Sequence, residues 1–208
     1  MVTLINKGSY TCRRLFEVET EHKTVISVHK PDLKEKLFFF FAGLLVSVPF
    51  TVVFSQLSDL LYLAIPALFA QIGSVAISTP FIEEFAKVFP LFYRHGETER
   101  SVVSLGILAG LGFGLTDFAL NVLTLGAPFI AILPWMFFHA SSAGITAYGI
   151  AKKRVIPFYL ISVGLHAASG LFALIGNLLW YVIGPTILIM TFVLAWNFYR
   201  RTTETIVA

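Results

Sequence analysis

The stretch SVVSLGILAGLGFGLTDFALNVLT, residues 101–124, contains a single charged residue, Asp117. A helix of this length measures about 36 Å and is long enough to cross about 30 Å of hydrocarbon. The stretch therefore predicts a transmembrane helix with one acidic side chain in its inner part. Apolar stretches of similar or greater length recur along the chain and predict further spans at 37–56, 61–93, 128–151, 155–175 and 177–199.

The composition agrees with a membrane protein. Hydrophobic residues make up 57% of the 208 residues and charged residues only 13%, with a mean hydropathy of +0.81. These values lie outside the range of soluble globular domains. We predict an all-α polytopic membrane protein with about six transmembrane helices, in a transmembrane domain over 37–199. The other predicted regions are an N-terminal segment, 1–36, and a tail, 200–208.

The N-terminal segment alternates modestly between apolar and polar residues around Phe16 and Val18, and again around Ile26 and Val28. Alternation of this kind predicts a short β-hairpin. Such a hairpin is either a cytoplasmic cap or an edge that an extended substrate joins.

The 15 Lys and Arg residues predict the orientation of the chain. All but Lys87 lie before Leu37, in the linkers 94–100 and 152–154 or in the tail at 200–201, whereas the linkers 58–60, 125–127 and 176 have none. Basic residues in short loops remain on the cytoplasmic side. We therefore predict a multi-pass protein of the cell membrane with both termini in the cytoplasm. The net charge of +3 reflects this topology, and we predict no nucleic-acid partner.

The segment 61–93 is too long for one simple crossing, since a helix of that length would measure about 50 Å. Thr79 and Pro80 are the expected break, because Thr caps helices and Pro suits the first helical position. A half-helix over 80–93 would then begin with Glu83 and Glu84 in its first turns. Carboxylates are favoured there by the helix dipole.

Ionisable side chains within the hydrocarbon are costly and usually functional. Away from the ends of the predicted spans, they are Glu83, Glu84, Lys87, Asp117, His139 and His166. Counted from the cytoplasmic ends of their helices, the acidic and histidine residues lie about 15 to 24 Å deep. Side chains at such similar depths can meet in one cluster.

Each of these residues also has a purely structural interpretation. Lys87 is one helical turn from both glutamates, so we expect it to pair with one of them and leave the other to act as a base. Asp117 could hydrogen-bond to Asn121 or Thr116. Histidines in membrane helices commonly make interhelical hydrogen bonds. Glycines at four-residue spacing, Gly106, Gly110 and Gly114, predict close helix packing around the cluster.

Four motifs in this order resemble the PrsW family: EEFAK at 83–87, GFGLTD at 112–117, FHA at 138–140 and LH at 165–166. That family is similar to the CAAX-processing and bacteriocin-processing membrane peptidases, and the resemblance covers about residues 80–170. It implies an intramembrane endopeptidase that cleaves membrane proteins, such as single-span anti-sigma factors, at a site within the lipid bilayer.

Carried over by position, the resemblance implies that Glu83 and Glu84 are the paired catalytic carboxylates and that His139 and His166 complete the site. Asp117 stands where the family usually has glutamate and is one methylene shorter. We add Asp117 to the catalytic set, with Lys87, Asn121 and Phe113 as supporting residues.

Two chemistries and two other classes of function remain open from the sequence. Histidine and carboxylate ligands suit a catalytic Zn²⁺ held by His139, His166 and Glu84, whereas a glutamate-activated water needs no metal. A proton- or metal-ion-coupled transporter also uses acids and histidines at the midplane. A catalytically inactive scaffold would keep the fold without needing the histidines.

Overall fold

The computed structural model describes residues 29–45, 47–93, 98–175 and 180–207. Its helices are α1 (Leu33–Leu45), α2 (Ser47–Tyr62), α3 (Ala67–Gly73), a π-helical turn (Ser74–Ser78), α4 (Thr79–Tyr93), α5 (Glu99–Leu125), α6 (Phe129–Ala151), α7 (Val155–Ile175) and α8 (Trp180–Arg200). The described residues contain no strand beyond an isolated bridge between Thr98 and Ile206. The apolar pairs of the predicted hairpin, 16–18 and 26–28, lie outside these residues.

Five helical segments in the described ranges are long and apolar enough to cross a membrane: Leu33–Leu57, which takes in α1 and the first part of α2, Glu99–Leu123, Phe129–Ala151, Val155–Ile175 and Val182–Arg200. They confirm the prediction of an all-α, multi-pass membrane protein. The remaining predicted span, 61–93, is not among them. Its helical part includes the π-helical turn and carries Glu83, Glu84 and Lys87.

The predicted helix over 80–93 matches α4 to within one residue, but the predicted break before Pro80 is wrong. Thr79 has helical backbone angles (φ −59°, ψ −50°), and its N–H donates to Ser74 O across the π-helical turn. Helical structure is therefore continuous from Ala67 to Tyr93, and the glutamates lie inside it. An α-helix would press the Pro80 ring against the carbonyl one turn earlier, whereas the wider π turn leaves room for it. The helix-dipole argument for the glutamates fails with the predicted break.

The first helix begins earlier than the predicted span because its start is capped. The Glu35 N–H donates to Asp32 Oδ1 at 2.8 Å, and the Asp32 N–H donates back to Glu35 Oε2 at 3.3 Å. This reciprocal arrangement satisfies two of the amides at the start of a helix. Residues 33–36, predicted as part of the N-terminal segment, consequently belong to α1.

Helix α6 is the centre of the bundle and contacts α4, α5, α7 and α8. Every residue from Phe138 to Gly149 is buried. The predicted glycines of α5 allow close packing against α6, since a Cβ on Gly110 would lie 2.5 Å from His139 O. On the opposite side of α5, Gly112 meets the backbone of Phe40 in α1. Helix α5 is therefore held between α1 and α6.

One end of the bundle is tied together by polar contacts. Lys152 Nζ, after α6, lies 2.6 Å from Glu99 Oε1 at the start of α5. The tail after α8 folds back onto the same place, where the Glu99 N–H donates to Thr205 O and the Thr203 N–H donates to Glu99 Oε2. These contacts bring the start of α5, the linker at 152–154 and the C-terminal tail to the same end of the molecule, which we call the basic end.

Candidate active site

Glu84 and Lys87 form an ion pair in the interior of the bundle. Lys87 Nζ lies 2.6 Å from Glu84 Oε1, and both side chains have 0% exposure. The ammonium also lies 5.1 Å from the centroid of the Phe113 ring. The prediction that Lys87 pairs with one glutamate is confirmed, and the partner is Glu84. Each charge supplies the counter-ion that the other needs away from water.

His166 of α7 connects this ion pair to Glu83. Its Nδ1 lies 2.9 Å from Glu84 Oε1, and its Nε2 lies 3.8 Å from Glu83 Oε2. A carboxylate only accepts hydrogen bonds, so the proton of the neutral imidazole is on Nδ1 and the lone pair is on Nε2. Glu84 thereby orients His166 with its basic nitrogen toward Glu83.

Asp117 and His139 form a second acid and histidine pair. Asp117 Oδ2 lies 3.3 Å from His139 Nε2, and the Asn121 side chain donates to Asp117 Oδ1 at 3.1 Å. The predicted bond between Asp117 and Asn121 is thus present together with a contact to histidine. The two imidazole rings meet edge to face with their centroids 5.9 Å apart. The Asp117–His139 pair therefore contacts the cluster of Glu83, Glu84 and His166 through the two imidazole rings.

A cavity of about 190 Å³ brings these groups to one surface. Its wall contains Glu83, Asp117, His139 and His166, with Asn121, Ser169, Ile132, Trp135 and Phe138 around them. Glu84 is not part of this wall, although it contacts His166. The lining residues on α5 lie in its later part, and those on α6 lie in its earlier part. The cavity therefore lies in the half of the bundle remote from the basic end.

Two serines that the sequence did not single out also contact the cluster. Ser142 Oγ donates to Glu84 Oε1 at 3.2 Å, and Ser169, in the cavity wall, donates to His166 O at 2.7 Å. Each serine follows a histidine of the cluster by three residues, so each serine lies on the same helix face as its histidine. That spacing is the signal in the sequence that would have found them.

The donor atoms for the predicted zinc are only partly free. Glu84 Oε1 already accepts from Lys87, Ser142 and His166, whereas Glu84 Oε2 and His139 Nδ1 are buried and lack a hydrogen-bond partner within the described part of the chain. Among the residues described, no three His, Cys, Asp or Glu side chains are grouped closely enough to hold a metal ion. Zn²⁺ held by His139, His166 and Glu84 stays a prediction.

Comparison with known proteins identifies no relative of this chain. No protein-family model, curated protein or solved structure matches the chain. The resemblance to the PrsW family thus rests on the motifs around Glu83, Asp117, His139 and His166 alone.

Proposed function

We propose that this chain is an intramembrane endopeptidase of the PrsW type, which hydrolyses a peptide bond of a membrane protein. The observation that supports this most directly is the cavity whose wall combines Glu83, Asp117, His139 and His166. Carboxylates and imidazoles that share a cavity large enough for water among membrane helices are the groups that general acid–base hydrolysis requires. Substrates of the proposed class are single-span regulatory proteins, such as anti-sigma factors.

The two glutamates have different roles in this proposal. Glu83 lies in the cavity wall, so it is the general base. Glu84 is the positioning residue, because Lys87 neutralises its charge and its Oε1 holds His166 Nδ1. The sequence alone left open which of the two adjacent carboxylates acts as the base.

The reaction follows from these assignments. A water molecule in the cavity gives a proton to Glu83, and its oxygen attacks the carbonyl carbon of the substrate. The lone pair of His166 Nε2 accepts a hydrogen bond from the same water and orients it for attack. The C–N bond then breaks as its nitrogen takes up the proton held by Glu83. The substrate segment must be unwound first, because a helix in lipid keeps its amides paired.

The proposed orientation places the basic end and both termini in the cytoplasm. Lys152 and the C-terminal tail meet at Glu99, and this contact supports the orientation that the distribution of Lys and Arg predicts. With the helical run from Ala67 to Tyr93 as a crossing beside the five apolar helices, the number of crossings is even. The cavity would then lie in the half of the bilayer away from the cytoplasm.

The test is cleavage by the purified full-length protein in detergent micelles. The probe is fluorescein-labelled casein, followed by a panel of single-span membrane proteins in proteoliposomes. We expect Glu83→Gln and His166→Ala to lower the cleavage rate by about 100-fold or more. Arg154→Gln, an exposed position at the basic end, is the matched control and should cleave like the wild type.

Equal rates for the wild type, Glu83→Gln and His166→Ala would refute the proposal. Metal content measured on the same preparations separates zinc from metal-free hydrolysis. Counterflow of protons or metal ions in proteoliposomes, abolished by Asp117→Asn, would instead indicate the transporter. A folded wild type with neither activity would indicate the inactive scaffold.

A further inference from the structure

A second cavity, of about 320 Å³, lies between α5, α6 and α8. Its walls include Ile107 and Leu111 of α5 and Phe192, Trp196 and Tyr199 of α8. None of these residues lines the active-site cavity, and the surface is almost entirely apolar. Phe192 and Trp196 are 56% and 55% exposed, so this cavity is a groove open to the hydrocarbon of the bilayer. We call it the α5/α8 groove.

Arginines from both walls stand at the basic end of the α5/α8 groove. Arg100 precedes Ile107 by seven residues and Arg200 follows Trp196 by four, spacings that keep each arginine on the same helix face as its groove residue. The guanidinium of Arg100 lies 5.9 Å from the centroid of the Tyr199 ring, which lines the groove. An apolar groove thus ends at two cationic side chains.

The acidic residues nearby offset this charge only in part. Glu204 Oε1 lies 3.7 Å from Arg100 Nη1, and both side chains are 45% exposed, so the pair is loose and solvated. The carboxylate of Glu99 is directed at Lys152 and Thr203 instead. Arg200 and Arg201 are exposed at the end of α8. The mouth of the groove is therefore complementary to an anion.

We propose that the α5/α8 groove binds an anionic phospholipid. One acyl chain lies along Leu111 and Trp196, and the phosphate contacts Arg100 and Arg200. Guanidinium groups bind phosphate through paired, charge-assisted hydrogen bonds, and basic pockets between membrane helices at the cytoplasmic face bind anionic headgroups. A zwitterionic lipid would fill the groove equally well but would gain less at its mouth. This inference does not depend on the proposed peptidase activity.

Trp196 provides the readout, because a lipid with brominated acyl chains quenches a tryptophan that it touches. The full-length protein is reconstituted in phosphatidylcholine nanodiscs, with a rising fraction of brominated phosphatidylglycerol or, separately, of brominated phosphatidylcholine. Subtracting the signal of Trp196→Phe isolates Trp196 from the other tryptophans. We expect half-maximal quenching at a lower fraction of phosphatidylglycerol than of phosphatidylcholine, by about fivefold for each arginine and about 25-fold for Arg100 and Arg200 together.

Arg100→Gln/Arg200→Gln should abolish this preference, and Arg154→Gln at the same end of the molecule should retain it. Arg100 also donates to Thr202 O at 3.0 Å, so Arg200→Gln alone is the variant that leaves the tail contacts intact. It should lose about half of the preference on a logarithmic scale. Thermal unfolding in the same nanodiscs verifies that each variant is folded.

Three results would overturn the proposal. Equal quenching by both lipids would mean that any acyl chain fills the groove. An equal loss in Arg154→Gln would indicate a diffuse effect of surface charge. Absence of Trp196 quenching by either lipid would mean that a protein segment covers the groove, either a second copy of this chain or a helix of another membrane protein.

Discussion

The buried pair of Glu84 and Lys87 is the residue-level feature on which the site depends most. Both side chains have 0% exposure, and together they carry no net charge. Removing one partner of a buried pair leaves an uncompensated charge, which typically costs about 3–5 kcal/mol, whereas removing both is far less harmful.

We therefore expect Lys87→Met to lower the free energy of unfolding by about 3–5 kcal/mol. Glu84→Gln/Lys87→Met should recover most of that loss. Unfolding of the purified protein in mixed micelles with increasing dodecyl sulfate measures both changes. If the single and the double variant lose the same stability, the two charges do not support each other.

Residue-level reasoning from the sequence reached the pairing of Lys87 and the similar depth of the acids and histidines. It could not assign Glu83 and Glu84, because adjacent residues point about 100° apart on a helix. Which one faces the cavity depends on the side from which α6 and α7 pack, and that is a property of the tertiary structure. Asp117, although one methylene shorter than the residue expected from the resemblance, reaches His139 at 3.3 Å.

At the level of elements, the π-helical turn sets the rotation of α4. The turn from Ser74 to Ser78 contains one residue more than an α-helical turn. Shortening the turn by one residue would rotate α4 by about 100° relative to α2 and α3. The faces of α4 that carry Glu83 and Glu84 would then no longer match α7.

Deletion of Ala76 should consequently abolish cleavage while leaving the helical circular dichroism signal unchanged. Ala76→Ser keeps the chain length and is the matched control, with cleavage close to the wild type. Full activity of the deletion variant would mean that α4 does not need the rotation that the turn provides. Both rates are measured with the casein probe.

The contact between α5 and α6 supports a second prediction at this scale. A Cβ at Gly110 would lie 2.5 Å from both Ala143 Cβ and His139 O, so Gly110→Ala must push the helices apart. We expect a loss of about 1–3 kcal/mol in stability, measured as a lower unfolding midpoint in micelles. At Gly164, a Cβ would meet nothing within 4 Å, so Gly164→Ala should be neutral or slightly stabilising. Equal effects at the two positions would contradict this packing.

The sequence predicts helix positions well where a long apolar stretch marks the helix. The predicted spans 101–124, 128–151 and 155–175 agree with α5, α6 and α7 to within about two residues. Asp32 and Glu35 have the spacing of a reciprocal cap, a signal that the span prediction did not use, so α1 begins earlier than predicted. The break predicted at Pro80 is wrong because the rule that proline ends a helix applies to α-helical geometry, and a π turn leaves no simple signature in composition.

For the whole molecule, the polar contacts of the basic end lead to a prediction of sidedness. In a Cys12→Ser background, Lys153→Cys should react with a membrane-impermeant maleimide only after the cell membrane has been permeabilised. Ala127→Cys, in the turn between α5 and α6, should react in intact cells. Labelling of both positions from the same side would contradict the proposed orientation. Mass shifts on gels measure each reaction.

The i,i+3 spacing of Glu84 and Lys87 also has a consequence for biosynthesis. The two residues share a helix, so their ion pair can form as soon as that helix does, before α6 and α7 have been synthesised. The nascent segment then enters the lipid with one uncompensated carboxylate, Glu83, instead of two. Its insertion should therefore be easier than the number of its charged residues suggests. Glu83 has no histidine beside it until α7, which carries His166, has been synthesised.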